Sequence, residues 1–119
     1  MYQIKRVYDK PAKSDGYRVL VDRFYPRGLS KAKAAYKVWF RDIAPSADLI
    51  KWYHQDPEKR WKKFKAEYKK ELRSKAGKAE LADLIDIIES RPVVTLLYGA
   101  KDPDHNNAVI LFEVLKKKV

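Results

Sequence analysis

Val93-Val94-Thr95-Leu96-Leu97-Tyr98 sits between Pro92 and Gly99 and is apolar almost throughout. A short run of this kind, bounded by turn residues, reads as a strand. Because both of its alternating faces are apolar, it must be covered on both sides, as a central strand of a helix-flanked parallel sheet is. The sequence around it agrees. Upstream, Leu81, Leu84, Ile85 and Ile88 form a helical stripe ended by Ser90-Arg91-Pro92, where the proline disfavours helix in Arg91. Gly77 punctuates. Before it Trp61, Phe64, Tyr68 and Leu72 recur at helical spacing, in a helix that opens with Asp56 at the cap and Pro57 at its first position and runs to about Arg73. Downstream, the Gly99–Asp104 loop leads to a last helix from His105 or Asn106 to Lys117.

Towards the N-terminus the elements are shorter. Gln3–Tyr8 and Tyr17–Asp22 read as strands. Ser30 can cap a short helix, Lys31–Ala35, and Ser46 another, Ala47–His54. Tyr36–Phe40 fits a third strand or the end of the preceding helix. Strands alternating with helices define an α/β layered domain, one domain over residues 1–119. The turn-rich segment Asp9–Gly16 is too short for an ordinary helical crossover, so the first two strands could form an antiparallel hairpin.

Composition narrows the function classes. Apolar residues make up 45% of the chain, which describes a globular protein. Cysteine is absent, which removes disulfide and thiolate chemistry and points to a reducing, cytoplasmic setting. MYQIKRVYD has no signal-like apolar run, and no stretch is long enough to span a membrane. The net charge of +11 suggests nucleic acid as a partner. However, much of that charge lies on the outer face of the 57–73 helix and in Lys116-Lys117-Lys118, where lysines are commonly a solvated surface. Metal binding has little support, because the only metal-ligand candidates beyond carboxylates are His54 and His105. No glycine-rich phosphate loop or serine-nucleophile elbow is present, and no cofactor is expected.

Two loops at strand ends carry the chemistry. Asp22-Arg23-Phe24-Tyr25-Pro26-Arg27-Gly28-Leu29-Ser30 places two guanidinium forks beside an acid and a helix start, a combination suited to an anion. The plain reading is an internal pairing of Asp22 with Arg23 or Arg27. Tyr98–Asn107 (YGAKDPDHNN) gathers Lys101, Asp102, His105, Asn106 and Asn107 at a strand end and helix start, where α/β sheets bind ligands. Its plain reading is helix capping and turn formation. His54 could hang over the site from its short helix.

These motifs resemble a known family over almost the whole chain. They are Arg6-Val7-Tyr8-Asp9, Gly16 to Arg23, Tyr25 to Ser30, Ala44-Pro45-Ser46, Asp56-Pro57 with Trp61, and Leu96 to Asp102 with His105-Asn106. Together they are similar to the uncharacterised family called domain of unknown function 488, in its short YeaO-like branch. The resemblance implies a Rossmann-like three-layer α/β domain with a small, mostly parallel sheet of about four strands. Longer relatives carry a helix between the first two strands, a cysteine near Tyr98 and a Cys-His-Arg run at about Asn106-Asn107-Ala108. This chain has neither that cysteine nor that run, so no thiol or His-based chemistry of the longer branch carries over.

The expectation is a small-molecule anion site, for phosphate or a nucleotide, between the two loops, open to catalysis through Asp22, Lys101 and His105. Arg23 and Arg27 would hold the anion and Asp22 would orient an arginine or act as base. Lys101 and His105 would complete the polar wall, Asp102 and Asn106 would bind, and Tyr25 and Tyr98 would stack. The alternatives are a nucleic-acid-binding module using the basic helix face and a scaffold with structural ion pairs only.

Overall fold

Residues Val94–Tyr98 are buried at every position and run between two parallel neighbours. The computed structural model describes residues 1–119. In chain order the elements are β1 (Tyr2–Arg6), a 3-10 turn (Lys13–Asp15), β2 (Tyr17–Leu20), α1 (Lys31–Ala34), β3 (Val38–Trp39), α2 (Ala47–His54), α3 (Pro57–Glu71), α4 (Lys75–Ser90), β4 (Val94–Tyr98) and α5 (Asn107–Lys116). The sheet has the order β1-β4-β2-β3, and every neighbouring pair is parallel. The fold is α/β, with the Rossmann-like plan that the strand pattern and the family resemblance imply. No helix is long and apolar enough to cross a membrane.

Side-chain alternation divides the core in two. Val94, Leu96 and Tyr98 of β4 join Val19 and Val21 on one face, beneath Tyr53 of α2, Phe64 and Tyr68 of α3, Leu81, Leu84 and Ile88 of α4, and Ile110, Leu111 and Leu115 of α5. On the other face Leu97, Leu20 and Val7 meet only Ala34 of α1, with Leu29, Tyr36 and Trp39 at the margin. The three-layer plan therefore has one thick helical layer and one thin one.

The thin layer contains the connection that makes β1 and β2 parallel. The hairpin alternative is wrong, because β1 and β2 never pair and instead lie on either side of β4. Residues 7–16 cross the sheet without a full helix, and polar bonds hold them down. The Thr95 hydroxyl donates to the Asp15 carbonyl, the Gln3 amide donates to Thr95 at 2.9 Å, and Gly16 closes on Val93. Gly16 has φ +62, and a Cβ there would lie 2.3 Å from the Val93 carbonyl oxygen, so only glycine fits. Beneath the crossing segment, Asp15 bonds Lys5 at 3.0 Å and Arg18 at 2.5 Å, and the Arg18 guanidinium also donates to the carbonyls of Ala34 and Ala35. Burial opposes the Asp15 charge, but the Ala12 N–H, Lys5 and Arg18 outweigh it and hold its pKa below the ordinary value.

The helix starts follow local chemistry. Ser30, Ser46, Asp56, Ser74 and Asn106 each accept the backbone N–H three residues on, a cap worth about 1 kcal/mol. Gly77 does not break the chain; it lies inside α4. Its missing side chain matters, because a Cβ would meet the Glu71 carbonyl oxygen at 2.9 Å, and its absence lets α4 start tightly against the end of α3. Within Tyr36–Phe40 only Val38 and Trp39 form strand, paired to Val19 and Leu20.

Candidate functional site

Parallel strands deliver their following loops to the same edge of the sheet, and here the loops after β2 and β4 meet α2 and the start of α5 around one cavity of about 200 Å³. Its wall residues include Asp22, Arg23 and Phe24 from the first loop, Ala100 and His105 to Asn107 from the second, and Tyr53, His54 and Phe64 from the helices. Most of the wall is carbon, and the polar groups are few and grouped.

Asp22 is the central one. Its carboxylate accepts the Gly99 N–H at 2.8 Å and the Asn107 side-chain amide at 3.1 Å, and Asn107 also donates to the Val21 carbonyl at 2.9 Å. No cation pairs with it. Burial raises its pKa, against the opposing pull of the Asn107 and Gly99 hydrogen bonds. The expected arginine partnership is absent, because the Asp22 carboxylate makes no hydrogen bond or ion pair with Arg23 or Arg27.

Arg23 has a different task. Its Nε donates to the Pro45 carbonyl and its Nη2 to the Ala44 carbonyl, both at 3.1 Å, while Nη1 has only Asp42 at 3.9 Å. The same Ala44-Pro45-Ser46 corner is clamped by Glu71, which accepts the Ser46 N–H and hydroxyl, and by Tyr68, whose hydroxyl donates to the Ile43 carbonyl. Glu80 accepts the N–H groups of Asp42 and Ile43. Arg23 is thus first a brace for the cavity wall, with one edge of its fork left over.

Of the residues expected from sequence, the structure brings Asp22, Arg23, His105 and Asn106 to the cavity and leaves the others outside it. Arg27 is exposed, and its recorded bond is through its carbonyl, which accepts the Tyr8 hydroxyl at 2.7 Å. The two-arginine clamp is therefore not formed. Tyr25 packs edge-on against Trp39 and Tyr36 on the thin-layer side. Tyr98 is buried in the helical core. Lys101 is exposed and away from the wall. Asp102 accepts the N–H groups of Asp104 and His105 and the His105 Nδ1 at 3.0 Å, which is the turn role of the plain reading. Asn106 caps α5. Its neighbour Asn107, grouped with the same loop by the sequence, is the residue that bonds Asp22. Nothing in the chain sets it apart from Asn106, since a second asparagine at a helix start reads as more capping. His54 and His105 both line the cavity, and the His105 ring stands edge-on to Trp61 at 5.0 Å. No group of His, Cys, Asp and Glu residues is placed to hold a metal ion.

A parallel α/β domain with a cavity at the carboxyl edge of its sheet defines the class, and the family follows from comparison with known sequences. The family model described as "Inactive DUF488-N3 subclade" matches residues 1–119, and the chain belongs to this family. It is similar to the uncharacterised protein YeaO of Escherichia coli, with 40% identity over 96% of each chain. It is also similar to the uncharacterised protein Mb3100c of Mycobacterium bovis, with 37% identity over 95% of this chain and 92% of that one. No solved structure matches.

Proposed function

We propose that the cavity at the carboxyl edge of the sheet binds one small molecule, a planar heterocycle bearing N–H donors, of nucleobase or mononucleotide size. The observation that carries this reading is the Asp22 carboxylate. It faces a mainly apolar cavity with two hydrogen bonds and no cation, and a buried carboxylate gains most from a ligand that donates to it. The aromatic side chains of Phe24, Tyr53 and Phe64 in the wall suit a planar apolar body. An attached phosphate would be served by the remaining edge of Arg23 and by His54 and His105. Bare phosphate is less suited, because Arg27 lies outside and Asp22 would repel it.

The reading is one of binding, without turnover. The family description carries the word inactive, which supports binding over turnover. Titrating free nucleobases, nucleoside monophosphates and inorganic phosphate into 15N-labelled protein tests it. A base or mononucleotide should move the Gly99 backbone and Asn107 side-chain amide signals first, and Asp22→Asn should weaken binding about tenfold or more, the worth of one charge-assisted bond. Absence of movement at these amides with every compound would overturn the reading.

A further inference from the structure

A second cavity, of about 340 Å³, lies on the helical layer where the ends of α3 and α5 meet the start of α4. Five cations converge on it: Lys69 and Arg73 from the α3 end, Lys78 from α4, and Lys117 and Lys118 beyond α5. Its floor is Leu72, Leu81 and Val114. Spacing explains the convergence. Positions 65 and 69 lie one turn apart on the side of α3 that faces α5, Arg73 follows just past the helix end, and positions 113 and 117 answer them from α5 and its end. The sole carboxylate of the rim, Glu113, is already paired with Lys65 at 2.9 Å. None of the five cations takes part in a side-chain hydrogen bond or ion pair; the neighbouring pairs are Lys65–Glu113 and Lys70–Glu67.

Helix dipoles account for only part of this charge. Lysines at the ends of α3 and α5 are favoured by the negative pole there. At α4 the polarity is reversed. Lys75 and Lys78 stand at its opening, the first turn has no acid, and the last turn has no base. Cations at the positive pole of a long helix oppose its dipole, so the fold itself gains nothing from Lys78. An external anion would gain from both.

We propose that this cationic basin docks the phosphate backbone of a nucleic-acid duplex, without reading its sequence. The net charge of +11 supplies the long-range attraction, and lysine acts as a point charge on phosphates. The basin has no aromatic side chain on which an unpaired base could stack, so the duplex is favoured over the single strand. The site is separate from the Asp22 cavity and does not depend on its ligand.

Salt dependence of binding to a short DNA duplex of arbitrary sequence, and to one of its strands, tests the proposal on the full chain. Five phosphate contacts give a slope near −4.5, which is about a 500-fold loss between about 50 and 200 mM salt. Lys78→Gln with Lys117→Gln should reduce the slope to about −2.7, and the loss to about 40-fold. Lys33→Gln, on the thin-layer side, should leave the slope unchanged. Lys78→Gln should also hold or slightly raise the melting temperature, which separates lost docking from lost folding. The proposal is overturned if the duplex does not bind, if the single strand binds better, if Lys33→Gln costs as much as Lys78→Gln, or if anionic vesicles bind and the duplex does not.

Discussion

Two buried or half-buried aspartates lie seven residues apart in the sequence, and their surroundings are opposite. Asp15 sits under the thin layer with Lys5 and Arg18 bonded to it, and its pKa is lowered. Asp22 sits at the carboxyl edge with an amide and a backbone N–H but no cation, and its pKa is raised. A short connection cannot cover a sheet face with apolar side chains, so the fold closes that face with a matched charge cluster. At the other site the match is left incomplete beside a cavity. The difference separates a carboxylate neutralised within the fold from one left without a cation beside a cavity.

The strongest way to break this contrast is at Arg18. Arg18→Ala removes the shorter of the two buried Asp15 ion pairs and frees the carbonyls of Ala34 and Ala35, and urea unfolding should show a loss of about 3–5 kcal/mol. A loss below about 1 kcal/mol would mean that the cluster is not what holds the crossing segment down. Arg23→Ala comes next. It frees two carbonyls but acts at a partly exposed side chain, so about 1–2 kcal/mol is expected in the same experiment. Arg27→Ala, in the same loop, should stay within about 0.5 kcal/mol of the parent, because its side chain braces nothing. Equal losses from the two arginines would remove the distinction between brace and surface.

The pH dependence sharpens the contrast further, because the two aspartates contribute with opposite sign. The lowered pKa of Asp15 means that its contribution is complete above the ordinary carboxylate range and is lost as pH falls through its folded value. The raised pKa of Asp22 means that the folded state holds its proton longer. Stability then falls as pH rises from the ordinary carboxylate value through the folded value of Asp22. Comparing Asp22→Asn with the parent across that window isolates the second effect. The parent should lose stability with rising pH relative to the variant, and parallel curves would show that Asp22 is not desolvated.

Much of this architecture was legible in the sequence. The apolar Val94–Tyr98 run, the Ser46 and Asp56-Pro57 starts and the stripes of α3 and α4 all act locally, through burial period and capping. The direction of β2 was not, because it depends on the crossing segment being held by Asp15, Arg18 and Thr95, and those partners come together only in three dimensions. Gly77 was misread for a similar reason, since its constraint comes from the carbonyls of the preceding helix. At the site, the loops were found but their roles were mixed. Arg23 and Arg27 look equivalent in the chain, yet one turns back to the Ala44–Pro45 corner and the other faces solvent. Asp102 and Asn106 took the capping roles that their residue types favour.

The most direct test of the central claim is thermal unfolding of the parent and of Asp22→Asn against nucleobases and nucleoside monophosphates. A ligand present at about 100 times its dissociation constant adds about 2.7 kcal/mol, which is a shift of several degrees for a domain of this size. The account predicts that at least one such compound shifts the parent by that amount and shifts Asp22→Asn far less. An equal shift in both proteins would place the ligand elsewhere, and no shift with any compound would contradict the assignment of the Asp22 cavity.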